Sequence, residues 1–147
     1  MKIHTSDRSE LQRFLLAQKD NYEFALEHLK RHEDFFSNMI YFMLPQLRGV
    51  SLNKVAKHYQ IWSLNEANDY LEHPVLGTRL IELSCEILSI SGKSANQIFG
   101  EANAVKLQAS MTLFSYLDHS KPIFEAVLKK YFEGQSHRLT VRLLGEI

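Results

Sequence analysis

The chain has 147 residues, 17 Lys and Arg balanced by 17 Asp and Glu, and a hydrophobic share of 45%. That size and composition suit one globular domain, able to bury about two-thirds of its unfolded surface without a disulfide or metal as a staple. A net charge of zero excludes the broad field needed to hold nucleic acid or an anionic membrane surface. No apolar run approaches the ~20 residues of a membrane span.

The start, MKIHTSDRSELQRF, has no apolar stretch of signal-peptide type, so a cytoplasmic location is expected. Ser9 and Gln12 fit a capping box that opens a first helix through LQRFLLAQ. Asp20 and Glu23 fit a second, opening NYEFALEHLKR. Near its end His28 and His32 share one helical face at metal-ligand spacing. No third ligand is placed, and Lys30 and Arg31 lie between them, so the pair reads as a solvated helix end. No metal and no cofactor are expected.

FFSNMIYFML, stopped by Pro45, predicts a buried helix, although Ile, Tyr and Phe also suit a strand. Gly49 then turns the chain. Asn53 caps KVAKHYQ, and Ser63 with Glu66 forms a third box before LNEANDYLEH. His73, before Pro74, is read as fixing a turn. In HPVLGTRLIELSCEILSISG, Pro74 sits in the first turn and Gly92 just past the end. Leu76, Leu80, Leu83, Ile87 and Ile90 form an apolar stripe. Ile81, Cys85 and Leu88 are read as widening it, which predicts a central helix. Cys85, alone in the chain, then reads as a buried, inert thiol. Arg79 reads as a surface partner of Glu82 and Glu86.

Ser94 and Gln97 cap a one-turn helix ending at Gly100. Pro122 starts PIFEAVLKKYFE, stopped by Gly134, and Ser136 caps a last helix, HRLTVRLL, whose Thr and Val also fit a strand. The pattern predicts an all-α fold: a single compact domain over residues 1–147 with about seven to nine helices, several of them short.

Chemistry concentrates in IFGEANAVKLQASMTLF, residues 98–114. At ~100° per residue, Leu107, Leu113, Phe114 and Leu117 share one arc, and Asn103, Lys106 and Ser110 fall inside it. Gln108, Thr112 and Ser115 take the opposite, solvated face. A buried polar group costs about 1–3 kcal/mol unless it finds a partner. In a packing reading Asn103 caps the helix, Ser110 admits a neighbouring helix, and Lys106 lifts its ammonium to water. In a functional reading the helix start behind Gly100 offers N–H groups and the positive end of the dipole. Lys106 adds a charge and Ser110 a hydroxyl. That set suits a phosphate or carboxylate. The common hydrolase and nucleotide loops, G-x-S-x-G, G-x-x-x-x-G-K-[ST] and G-x-G-x-x-G, do not occur.

LQRFLLAQ, FMLPQLRG, WSLNEANDYLEHPVLGTRL and IFGEANAVKLQASMTLF, in this order, resemble a bacterial family known as domain of unknown function 1810. Some of its members carry the label calpastatin. The resemblance implies a compact all-helical domain and no assigned activity. Gln18, Gln46, Tyr59, Glu66, Arg79, Lys106, Ser110 and Thr112 match the family's pattern and become candidate positions through it. The family pattern has a His and two Trp where this chain has Asn38, Met39 and Tyr41, and an Asp where it has Asn103. If the family is catalytic, the loss of an imidazole and a carboxylate implies a member that binds without turnover.

The expected function is a binding domain for a small anionic or phosphate-bearing ligand, a divergent or inactive enzyme being one form of it. Its ligand-binding candidates are Gln46, Tyr59, Gly100, Asn103, Lys106 and Ser110, with Gln18, Glu66, Arg79 and Thr112 as further ones. The alternative is a protein–protein interaction module without a ligand, which would expose an apolar patch.

Overall fold

The computed structural model describes residues 10–31 and 37–146. Ten α-helices and one 3-10 turn lie among the described residues, with no strand. The all-α expectation therefore stands. The number of helices among the described residues, ten, exceeds the expected seven to nine.

Helices α1 (Gln12–Lys19) and α2 (Tyr22–Lys30) follow each other closely. A 3-10 turn, Ser37–Met39, leads into α3 (Ile40–Met43), which is buried throughout. Next come α4 (Lys54–Tyr59), α5 (Leu64–Glu72) and α6 (Leu76–Ser89). The chain ends with α7 (Ala95–Phe99), α8 (Glu101–Ser115), α9 (Pro122–Phe132) and α10 (Arg138–Leu144).

The caps explain most of these starts. The Asn53 side chain accepts from the Ala56 N–H, and that of Ser63 from the Glu66 N–H. Ser94 and Gln97 close a full capping box. His73 Nδ1 accepts from the N–H groups of Val75 and Leu76, at 3.1 and 3.2 Å, and so fixes the turn into α6. Two expected caps are different. Asp20 ends α1 rather than opening α2, so it lacks the extended backbone of an N-cap; Asn21 takes that place without a side-chain cap bond. His137, not Ser136, caps α10. Ser9, His32 and the first two residues of FFSNMIYFML lie outside the described residues.

Gly77, in the first turn of α6, is buried against the end of α5. A Cβ there would lie 1.9 Å from the Leu71 carbonyl oxygen, so only glycine admits this corner.

Most of the buried apolar residues form one cluster. Rings run through it from Phe14 to Tyr70 (5.0 Å, edge-on), to Phe114 (5.6 Å) and to Phe124 (5.7 Å), tying α1, α5, α8 and α9 together. Helix α8 packs against five other helices, α3, α5, α7, α9 and α10. This corrects the expected solvated face: Thr112 is fully buried because α10 covers it, and its Oγ1 accepts from the His137 N–H at 2.9 Å. Gln108 is half-buried and donates to the Gln135 carbonyl at 3.0 Å.

Cys85 is exposed, not buried. At ~100° per residue it points about 180° from the mean direction of Leu76, Leu80, Leu83 and Ile87, which do face the core. It lies opposite the apolar stripe and does not widen it.

Candidate functional site

The first turn of α8 departs from Gly100, whose φ of 80° belongs to the region that favours glycine. Asn103 is the third residue of the helix, so it does not cap it. Lys106 follows at i+3, and its Nζ lies 3.5 Å from the Asn103 Oδ1. The same ammonium sits 5.4 Å from the centroid of the Tyr41 ring on α3, within the range of a cation–π contact. Tyr41 is held from the other side: its hydroxyl accepts from the Asn53 Nδ2 at 2.7 Å, while Asn53 Oδ1 caps α4. A cap thus also orients the ring beneath Lys106. Ser110, one turn further along α8, is fully buried, and its hydroxyl has no hydrogen-bond partner among the described residues.

Gln46 and Tyr59 stand behind Tyr41. With Tyr41, Ser51 and Ala56 they line a cavity of about 10 Å³, which is room for a single water molecule. Gln46 Oε1 accepts from the Ser51 hydroxyl at 3.2 Å, and its Nε2 has no hydrogen-bond partner among the described residues. Tyr59 packs against Phe42 (5.2 Å) and Phe14 (6.1 Å). This volume admits water and excludes an organic ligand. Tyr41 is the one wall it shares with the Lys106 patch.

The further candidates go elsewhere. Gln18 is buried. Its Nε2 donates to the Phe42 carbonyl at 2.7 Å and to the Tyr70 hydroxyl at 2.9 Å. Its Oε1 accepts from Arg79 Nη1 at 3.4 Å. The Arg79 guanidinium lies 4.8 Å from the Tyr22 ring centroid. It turns to α1 and α2 rather than pairing with Glu82, whose carboxylate accepts from the Tyr22 hydroxyl instead. Burial pushes the hydroxyls of Tyr22 and Tyr70 well above the usual tyrosine range, with the Glu82 bond adding to the rise at Tyr22. Both stay protonated.

Glu66 is buried and fully engaged. It pairs with Arg13 at 2.9 Å and accepts from the Trp62 N–H at 3.1 Å. Arg13 also donates to the Gln60 carbonyl at 2.7 Å and lies over Phe14. No oxygen there is left aimed at a ligand site. Thr112, under α10, is equally a packing residue.

Two larger cavities escaped the sequence. A groove of about 830 Å³ runs between the end of α8 and α9, past Tyr116, Glu125, Lys129 and Glu133. A cleft of about 320 Å³ opens between α1 and the start of α6, lined by Gln12, Leu15, Leu16, Lys19, Val75 and Arg79. The adjacent leucines of LQRFLLAQ were a readable signal for the cleft, because a short helix cannot turn both into the core. Leu16 is 65% exposed. Among the described residues no three His, Cys, Asp or Glu side chains group as metal ligands, and no helix is long and apolar enough to cross a membrane.

A family model described as protein of unknown function (DUF1810) matches residues 8–144. The crystal structure of the conserved hypothetical protein Rv1873 from Mycobacterium tuberculosis is similar at a TM-score of 0.90 and 38% identity, over 95% of this chain and 99% of that one. No curated protein matches the chain.

Proposed function

The chain belongs to the DUF1810 family, and from that premise we propose that it binds a small anionic ligand where Lys106 and Asn103 of α8 meet Tyr41 of α3. The observation that carries this reading is the state of the Lys106 charge. The side chain is half-buried, its ammonium rests over an oriented ring, and no carboxylate among the described residues lies within ion-pair distance of it. A partly desolvated cation gains most from a counter-charge. The family pattern that the chain resembles carries Asp where this chain has Asn103. With an amide there, the position supplies a hydrogen-bonding group and leaves the charge to be balanced from outside.

The reading is one of binding without turnover, because the patch holds neither the carboxylate nor the imidazole of the family pattern, the commonest general bases. The rival reading, an interaction module, requires a contiguous apolar patch. Exposed large apolar side chains stand at Leu16, Phe24, Leu52, Leu64, Val75, Val105 and Tyr116; of these, Leu16 and Val75 share the lining of the cleft between α1 and α6.

The test is a thermal-shift panel of inorganic phosphate, sugar phosphates and small carboxylates against wild type and Lys106→Met. Ligands that bind the native state raise Tm by mass action. Some member should raise the Tm of wild type, and the Met variant should stay folded and lose that response. A panel that moves neither protein, or both equally, ends the proposal.

A further inference from the structure

The cleft between α1 and α6 pairs two kinds of surface. Leu15, Leu16 and Val75 make apolar walls, while Lys19 and Arg79 bring two cations, with no carboxylate among the described residues of the lining. Val75 and Leu16 are exposed, so hydrocarbon stands open to water at the mouth. Arg79 is not a loose surface charge. Its Nη1 donates to Gln18 Oε1, and Gln18 is itself locked in the core by the Phe42 carbonyl and the Tyr70 hydroxyl. The Tyr22 ring supports the guanidinium from one side. A buried amide and an aromatic face therefore hold a cation at the cleft wall before any ligand arrives, which lowers the ordering cost of binding. Glu82, the nearest carboxylate along α6, is engaged by Tyr22 and not by Arg79.

We propose that this cleft is a second ligand site, separate from the Lys106 patch, and that it takes a small aliphatic carboxylate. The guanidinium fork matches a carboxylate in two-point geometry. The leucine and valine walls favour a hydrocarbon body over inorganic phosphate, which would leave them wet. A volume of about 320 Å³ is at the low end for ligand pockets, which fits a short chain.

The experiment titrates the full chain calorimetrically with hexanoate, hexanol and inorganic phosphate, in wild type, Leu16→Glu, Arg79→Met and Lys106→Met. Leu16 is exposed, so Leu16→Glu should fold normally while placing a like charge at the mouth. Hexanoate should bind at least ~10-fold more tightly than hexanol or phosphate, and Leu16→Glu should weaken it at least ~10-fold. Arg79→Met, if folded, should do the same. Lys106→Met should leave hexanoate binding unchanged, which separates this site from the anion patch. Equal binding of hexanol, an unaltered response in Leu16→Glu, or no hexanoate binding to wild type would overturn the proposal. So would a wild type that sediments as a dimer, with a monomeric Leu16→Glu and no hexanoate binding, since the cleft would then seat a second copy.

Discussion

Arg13 and Glu66 are 53 positions apart in the chain and 2.9 Å apart in space, with side chains only 13% and 3% exposed. The pair joins α1 to α5, and Arg13 also ties down the Gln60 carbonyl in the segment between α4 and α5. Removing one partner of a buried pair strands the other charge. Glu66→Ala should therefore cost about 3–5 kcal/mol at neutral pH, read from urea unfolding. The double variant Arg13→Met/Glu66→Leu should lose clearly less than the sum of its single changes. Additive losses would show that the two side chains act independently.

Gly77→Ala should destabilise the protein by more than ~2 kcal/mol, although alanine is the better helix former by about 1 kcal/mol. The new methyl would meet a backbone carbonyl at 1.9 Å, not a side chain that can swing away. The corner between α5 and α6 must open to admit it. An unchanged or raised Tm would show that this corner yields freely.

His137 should make stability fall on mild acidification. Its Nδ1 accepts from the Thr140 N–H and sits 2.8 Å from the Thr140 hydroxyl, so the cap requires the neutral ring. Burial lowers its pKa below the ordinary 6.5. The unfolded chain then binds the proton more readily than the folded one. The stabilisation is complete above about pH 6.5 and is lost as pH falls through the lower folded value. His137→Asn keeps a capping acceptor and cannot titrate. Between pH 8 and pH 5 the wild type should lose more Tm than this variant; parallel curves would rule the mechanism out.

Cys85 should react with a maleimide in the native state, stoichiometrically and without added denaturant, because it is exposed on the outer face of α6. Labelling should shift stability by less than ~0.5 kcal/mol, as expected for a surface change. Protection of the thiol until unfolding would place it back in the core.

What the sequence made legible was local. Asn53, Ser63 and Ser94 cap helices through bonds to residues three positions on, so their spacing alone suffices. The stripe on α6 faces inward for the same reason. Where competition or distance enters, the reading fails. Asp20 and Glu23 have the right spacing, but α1 claims Asp20 first. Thr112 looks solvated until α10 folds over it. In the candidate site, Asn103 and Lys106 meet because they lie three apart on one helix. The Tyr41 ring under Lys106 comes from α3, and nothing in the spacing within α8 points to it. The Arg79 cleft depends on how α1 lies against α6, a relation no single window contains.

The enclosure of α8 also sets the order in which the molecule opens. Its middle, Leu107 to Phe114, is covered from several sides, so the amide protons there should exchange with solvent only when the whole fold is lost. Glu101 and Ala102, exposed at its start, should exchange without that event. One helix should thus carry both slowly and rapidly exchanging protons. An anion held at Lys106 would slow exchange in that first turn and leave the middle of the helix unchanged.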